Sequence, residues 1–237
     1  PRVVEITGTV GKTTAKDFTA AVLANRFNVH SSPGNLNSRE GLPLALMSLR
    51  RDHQVSVLEL AMDSTGEIAE LAAIAEPEIG AVLNIGFTHV SKLGSIDAIA
   101  AEKLSLVRGL PRTGTALLNA DDPRIAPVAA ELGCSVITFG CAEEAALRRG
   151  QVTDRGLDGT SFDVTFGETT ERVNSPLPGA HTVSAVLTAI GAAIALGVNL
   201  RGAASAVSQS RATGRARVSH PEAGATTIDD RYNSSPA

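Results

Sequence analysis

The segment Gly8-Thr9-Val10-Gly11-Lys12-Thr13-Thr14 follows the apolar run Val3-Val4-Glu5-Ile6 and precedes a helical pattern. A strand, a glycine turn and a helix in that order can cradle phosphate. The turn lets successive backbone N–H groups face an anion, and the helix adds its positive N-terminal end. Lys12 can reach the terminal phosphates and Thr13 can ligate Mg²⁺. A full Walker sequence carries a further glycine where this chain has Ile6, so the loop is a shorter variant, Gly-x-x-Gly-Lys-Thr-Thr. The alternative is an ordinary strand-to-helix turn.

Other residues could complete such a site. Glu59 lies in the apolar run Val55-Ser56-Val57-Leu58-Glu59-Leu60, where a carboxylate is costly without a partner, and Mg²⁺ over the phosphates is such a partner. The alternative is a glutamate at an exposed strand end. His89, in Asn84-Ile85-Gly86-Phe87-Thr88-His89, could bind a metal or a phosphate, or could be an ordinary loop histidine. Lys103 reads by itself as a solvated helix lysine. Asp229, Asp230 and Asn233 could meet a ribose or a base edge, or could form a turn. Asn35 and Asn37 are equally open between a binding loop and a helix cap. Asp63-Ser64-Thr65-Gly66 has the form of a GTPase switch, but Asn119-Ala120-Asp121-Asp122 lacks the lysine of a guanine-reading motif.

These residues need a scaffold that gathers them on one edge. Short β-rich runs at residues 3–7, 55–60, 79–83, 115–118 and 135–139 alternate with helical patterns, which predicts a P-loop-type α/β fold. Its sheet would be mostly parallel and flanked by helices, with ligands at the carboxyl ends of the strands. Around residues 150–175 the pattern changes to short strands and glycine turns, which predicts a small antiparallel β appendage. Helices are expected over 183–196 and 200–209, and a last strand over 225–228. The net charge of −4 and pI near 5.8 give no basic field, which argues against a nucleic-acid partner. Residues 183–198 are uncharged but fall short of the ~20 apolar residues that a membrane span needs. Two cysteines, Cys134 and Cys141, are too few for a disulfide framework and lack metal-ligand spacing, so a reducing cytoplasm is expected. No signal peptide is visible, and the abrupt start at Pro1 suggests a piece of a longer polypeptide.

In order and spacing these pieces resemble the Mur ligase family, in the central ATP-binding domain of its MurF branch. The resemblance covers nearly the whole chain, 1–237. Its carriers are residues 7–14, Gly34-Asn35-Leu36-Asn37 with Gly41-Leu42-Pro43-Leu44, Leu58-Glu59 with Gly66-Glu67-Ile68, and Asn84-Ile85-Gly86 with His89 and Leu93-Gly94-Ser95. Further carriers are Leu118-Asn119-Ala120-Asp121-Asp122-Pro123, Pro178-Gly179-Ala180-His181, Gly214-Arg215 and Ile228-Asp229-Asp230-Arg231-Tyr232-Asn233. The resemblance implies an ATP-dependent ligase of peptidoglycan precursor synthesis. It would join D-alanyl-D-alanine to UDP-N-acetylmuramoyl-tripeptide through an acyl phosphate, as a cytoplasmic monomer.

By the same resemblance Gly8, Thr9, Val10, Gly11, Lys12, Thr13, Thr14, Arg215, Asp230 and Asn233 would hold ATP, and Asn35 and Asn37 would line the muramoyl-peptide side. Thr13 and Glu59 would bind one Mg²⁺, and His89 and a carbamylated Lys103 a second. Lys12, Glu59, His89 and Lys103 would form the catalytic set. Flanking UDP-binding and C-terminal modules are absent from the chain, so it is expected to be inactive alone. The chain departs from the family pattern at Thr182 and Ser184, where asparagines are usual, and at Ser38, Arg39 and Ser105. Two alternatives therefore stand beside the first reading: a Mur-type ligase with another acceptor, and a non-catalytic nucleotide-binding remnant.

Overall fold

The run Arg2–Thr7 forms β1, and its side chains alternate between two buried faces. Val4 and Ile6 enter one apolar cluster and Val3 the other, as in a parallel strand covered on both sides. The computed structural model describes residues 1–88 and 90–211, together with the backbone of the strands at 217–219 and 227–229. His89, Arg215, Asp230 and Asn233 lie outside the described residues.

After β1 come α1 (Lys12–Leu23), β2 (Val29–Ser31), α2 (Gly41–Leu46), β3 (Val55–Glu59), α3 (Glu67–Ala75) and β4 (Ile79–Val82). Then follow α4 (Val90–Leu93), α5 (Ile96–Arg108), β5 (Thr115–Asn119), β6 (Ser135–Gly140) and β7 (Leu147–Arg149). The remainder comprises β8 (Thr153–Asp154), β9 (Thr160–Phe166), β10 (Thr169–Ser175), α6 (Val183–Ala195) and α7 (Leu200–Gln209). An antiparallel pair, β11 (Arg217–Ser219) and β12 (Thr227–Asp229), closes the described part and meets the strand expected near 225–228.

Among the described residues ten strands share one sheet in the order β10-β9-β7-β6-β5-β4-β1-β3-β2, with β8 paired to β9. The pairings from β2 through β7 are parallel. The antiparallel strands expected around 150–175 are present, but they continue the main sheet, because β9 pairs antiparallel with β7. Two strands of this sheet, β2 and β7, fall outside the sequence expectation. Each is three residues long, and β7 carries the charged pair Arg148-Arg149. Between β5 and β6 a 3₁₀ turn at Ala126–Glu131 replaces the expected helix.

One face of the sheet packs on α1, α6 and α7 and the other on α3 and α5. α6 is apolar nearly all round and lies between its neighbours and the sheet, so the uncharged run near 183–198 is a buried core helix. Among the described residues no helix is long and apolar enough to cross a membrane.

Because β1, β3, β4 and β5 are parallel, their carboxyl ends lie along one edge. The chain reaches β3 on one side of β1 and β4 on the other, so β1 stands at a switch point of the sheet, where crevices open in α/β folds.

Candidate active site

The loop after β1 is built by backbone geometry. Gly11 caps α1 with φ 81°, a left-handed conformation that glycine adopts without strain. At Gly8 an added Cβ would meet Leu83 Cβ at 2.9 Å, so the loop lies against the end of β4 closely enough to require glycine. Helix geometry leaves the first N–H groups of α1, at Lys12 to Thr14, pointing into the loop, and no acidic side chain stands in that turn to oppose an anion.

Asn84, just past β4, holds this loop. Its Oδ1 accepts from the N–H groups of Thr9 and Val10, each at 2.9 Å, and its Nδ2 donates to Val10 O at 3.1 Å. Thr9 Oγ1 accepts from Gly86 N at 2.7 Å. The next loop is tied down in turn. Asn119 Nδ2 donates to Leu83 O at 2.7 Å, and Asp122 Oδ2 accepts from Ile85 N at 2.8 Å. Asp121 accepts from the N–H groups of Cys141 and Ala142. The group weighed as a base reader is thus a set of loop clamps.

Two ammonium groups cross the floor of the loop. Lys12 Nζ donates to Thr9 O at 3.2 Å, and Lys103 Nζ, reaching from α5, donates to Gly8 O at 3.0 Å. Lys103 is buried, 2% exposed, so the solvated-lysine alternative fails. Burial, and then the nearby charge of Lys12, push its pKa down to about 7, against a smaller upward pull from Glu102. Glu102 itself accepts from the N–H groups of Gly66 and Ile68 at the start of α3.

Glu59 ends β3 and is also buried, which removes its exposed-end alternative. Its Oε1 accepts from Asn37 Nδ2 at 2.8 Å, while its Oε2 is buried with no hydrogen-bond partner. A buried carboxylate oxygen without a donor suits a hard cation. Asn37 therefore sits beside the Glu59 carboxylate, whereas Asn35 is exposed at the tip of the same loop. Asp63, in the switch-like segment, pairs with Lys92 at 2.9 Å. Thr182 Oγ1, at a position where the chain departs from the family pattern, donates to Gly179 O at 2.8 Å and closes its own turn.

The structure thus brings Gly8 to Thr14, Glu59 and Lys103 to the edge marked by β1. Sequence reasoning missed Asn84 as the loop's anchor, as well as Lys16, which is buried on α1. The one local signal for Lys16 was its place between the apolar positions Ala15 and Phe18 on that helix.

A glycine loop joining a central parallel strand to a helix, with two lysines bonded to its carbonyls and a carboxylate at the neighbouring strand end, defines a P-loop nucleotide-binding α/β domain. The sequence profile of the Mur ligase middle domain matches residues 6–193, and the chain belongs to the Mur ligase family. It is similar to the UDP-N-acetylmuramoyl-tripeptide--D-alanyl-D-alanine ligase of Bacillus subtilis (strain 168), with 33% identity over 236 residues, 99% of this chain and 50% of the relative. The enzyme of the same name from Synechocystis sp. is 36% identical over 98% of this chain and 49% of the relative. Among solved structures, MurF from Acinetobacter baumannii superimposes with a TM-score of 0.88 at 29% identity, over 99% of this chain and 51% of that one. MurF from Thermotoga maritima, in complex with ADP, gives 0.83 at 25% identity, over 99% and 54%. The chain spans about half the length of the curated relatives it matches.

Proposed function

We propose that this chain is the nucleotide-binding centre of an ATP-dependent ligase that joins D-alanyl-D-alanine to UDP-N-acetylmuramoyl-tripeptide in the cytoplasm. In this reading it acts within a longer protein that also grips the UDP sugar and presents the amine. The observation that carries the reading is the unpartnered Glu59 Oε2 on the edge shared by the phosphate loop and two lysines. The shared names of relatives that align with 98–99% of the chain support the choice of substrates.

The loop N–H groups and Lys12 would hold the β- and γ-phosphates of ATP, with the glycines admitting the phosphates close to the backbone. Thr13 and Glu59 would hold Mg²⁺, and His89 with a carbamylated Lys103 would serve a second ion; when bound, Mg²⁺ neutralises phosphate charge during transfer. The tripeptide carboxylate would attack the γ-phosphorus, giving an acyl phosphate and ADP. The amine of D-alanyl-D-alanine would then displace phosphate and form the amide. Lys12 would stabilise the charge that develops on the transferring group. Arg215, Asp230 and Asn233 would contact the nucleoside, and Asn35 would face the muramoyl peptide.

Carbamylation of Lys103 is supported by its depressed pKa. A neutral amine can add its lone pair to the carbon of CO₂ and release a proton, which leaves a carboxylate where an ammonium stood.

The test is release of orthophosphate from ATP by the full-length protein. Release should require both substrates together, and Lys12→Ala and Glu59→Ala should each abolish it while the far-UV spectrum is kept. Unchanged turnover in both variants would overturn the proposal.

A further inference from the structure

Lys16 is among the largest fully buried side chains of the described residues, 1% exposed, one helical turn beyond Lys12 on α1. An ammonium inside a protein is costly unless each of its three N–H groups is matched. Here three acceptors surround it: Ser32 O at 2.6 Å, Gly34 O at 3.3 Å and Asp17 Oδ1 at 2.9 Å. None of the three belongs to the phosphate loop. Two of them are backbone carbonyls of the segment between β2 and α2.

That segment runs alongside Glu59. Upstream, Ser32 N donates to Val57 O at 3.2 Å, two residues before Glu59; downstream, Ala61 N donates to Asn37 O at 2.9 Å, two residues after it. Between these points the loop makes a turn in which Gly34 has φ 55°, with open space where a Cβ would stand. The turn presents the Ser32 and Gly34 carbonyls to one ammonium. The far side of the same loop carries Asn37, whose amide occupies Glu59 Oε1 and leaves Oε2 without a donor. A carboxylate held through one oxygen offers the other in a fixed direction, which is how outer residues tune a cation's ligands.

We propose that Lys16 is a positioning residue. It fixes the 32–37 loop to the phosphate-loop helix, so that Asn37 orients the Glu59 carboxylate toward the cation that accompanies the nucleotide. This inference rests on the Mg²⁺-nucleotide reading above.

The experiment is calorimetric binding of ADP to the full-length protein, in Mg²⁺ and separately in EDTA. Wild type should bind more tightly with Mg²⁺. Lys16→Met should keep its EDTA affinity within about twofold and lose roughly tenfold or more of the Mg²⁺-dependent gain. Asn37→Ala should do the same, and the double variant should lose no more than either single one. A full Mg²⁺ gain in Lys16→Met, or an equal loss with and without Mg²⁺, would overturn the inference. Failure of wild type to bind ADP would instead overturn the nucleotide reading and the inference with it. If Lys16→Met does not fold, Lys16→Gln, which keeps a shorter donor, should show an intermediate loss of the gain, and an unchanged gain there would overturn the proposal.

Discussion

Asn84 and Val10 exchange hydrogen bonds in both directions: Asn84 Oδ1 accepts from Val10 N at 2.9 Å and Asn84 Nδ2 donates to Val10 O at 3.1 Å. A side chain at the end of β4 thus closes onto the tip of the phosphate loop as a second strand would, and the loop holds its shape before any ligand arrives. Asn84→Ala should lower ADP affinity and cost about 1–3 kcal/mol of stability, since it leaves loop groups without partners. Asn84→Asp should lower affinity further, because it turns a carboxylate oxygen toward Val10 O and adds negative charge near the anion site. Titration calorimetry checks the order; an Asp variant that binds better than Ala would contradict it.

The close approach of Gly8 to Leu83 gives a steric prediction. Gly8→Ala places a Cβ 2.9 Å from Leu83 Cβ, in a core where neither backbone can yield freely. The expected cost is about 1–3 kcal/mol in urea unfolding, with ADP affinity reduced because the loop is pushed off β4. A paired Leu83→Gly, which removes the Cβ that the new methyl meets, should recover part of the affinity.

Glu5 is wholly buried in β1, and neither of its oxygens has a hydrogen-bond partner. Burial pushes its pKa up to about 8 from an ordinary 4.5, so the folded protein holds a proton that the unfolded chain releases. Below pH 4.5 both states are protonated. Between 4.5 and 8 the unfolded state loses its proton first, so this group's contribution falls as pH rises, and it reaches its floor above 8. Glu5→Gln removes the titration. Its stability advantage over wild type should be smallest near pH 4.5 and grow to a few kcal/mol above pH 8. Thermal melts across that range check this, and a constant difference would contradict it.

The phosphate loop and Glu59 were legible in the sequence because their roles are local: glycines at turn positions, a lysine at the helix start, a carboxylate ending an apolar run. The parallel strands 55–59 and 79–82 were legible for the same reason, being short, mostly apolar runs. β2 was not, since Val29-His30-Ser31 is a strand only through its pairing with β3. Lys103 and Lys16 look like surface lysines in sequence; burial by segments distant in the chain gives them their roles. Only the resemblance singled out Lys103. Asn84 and Asp122 act through backbone groups of other loops, and no spacing in the chain reports such contacts.

Lys103 gives a chemical prediction. Protein equilibrated with ¹³C-bicarbonate should show a carbamate resonance at mildly alkaline pH, where an amine with a pKa of about 7 is mostly neutral. Lys103→Met should abolish the signal. Its persistence in that variant would place the carbamate elsewhere.

The central claim is that phosphate passes from ATP to a carboxylate before the amide forms. Its most direct test uses UDP-N-acetylmuramoyl-tripeptide with ¹⁸O in the reacting carboxylate, turned over by the full-length protein with ATP and D-alanyl-D-alanine. The account predicts that the released orthophosphate carries one ¹⁸O from the peptide, with ADP as the other product. Unlabelled phosphate, or release of AMP and pyrophosphate, would contradict it.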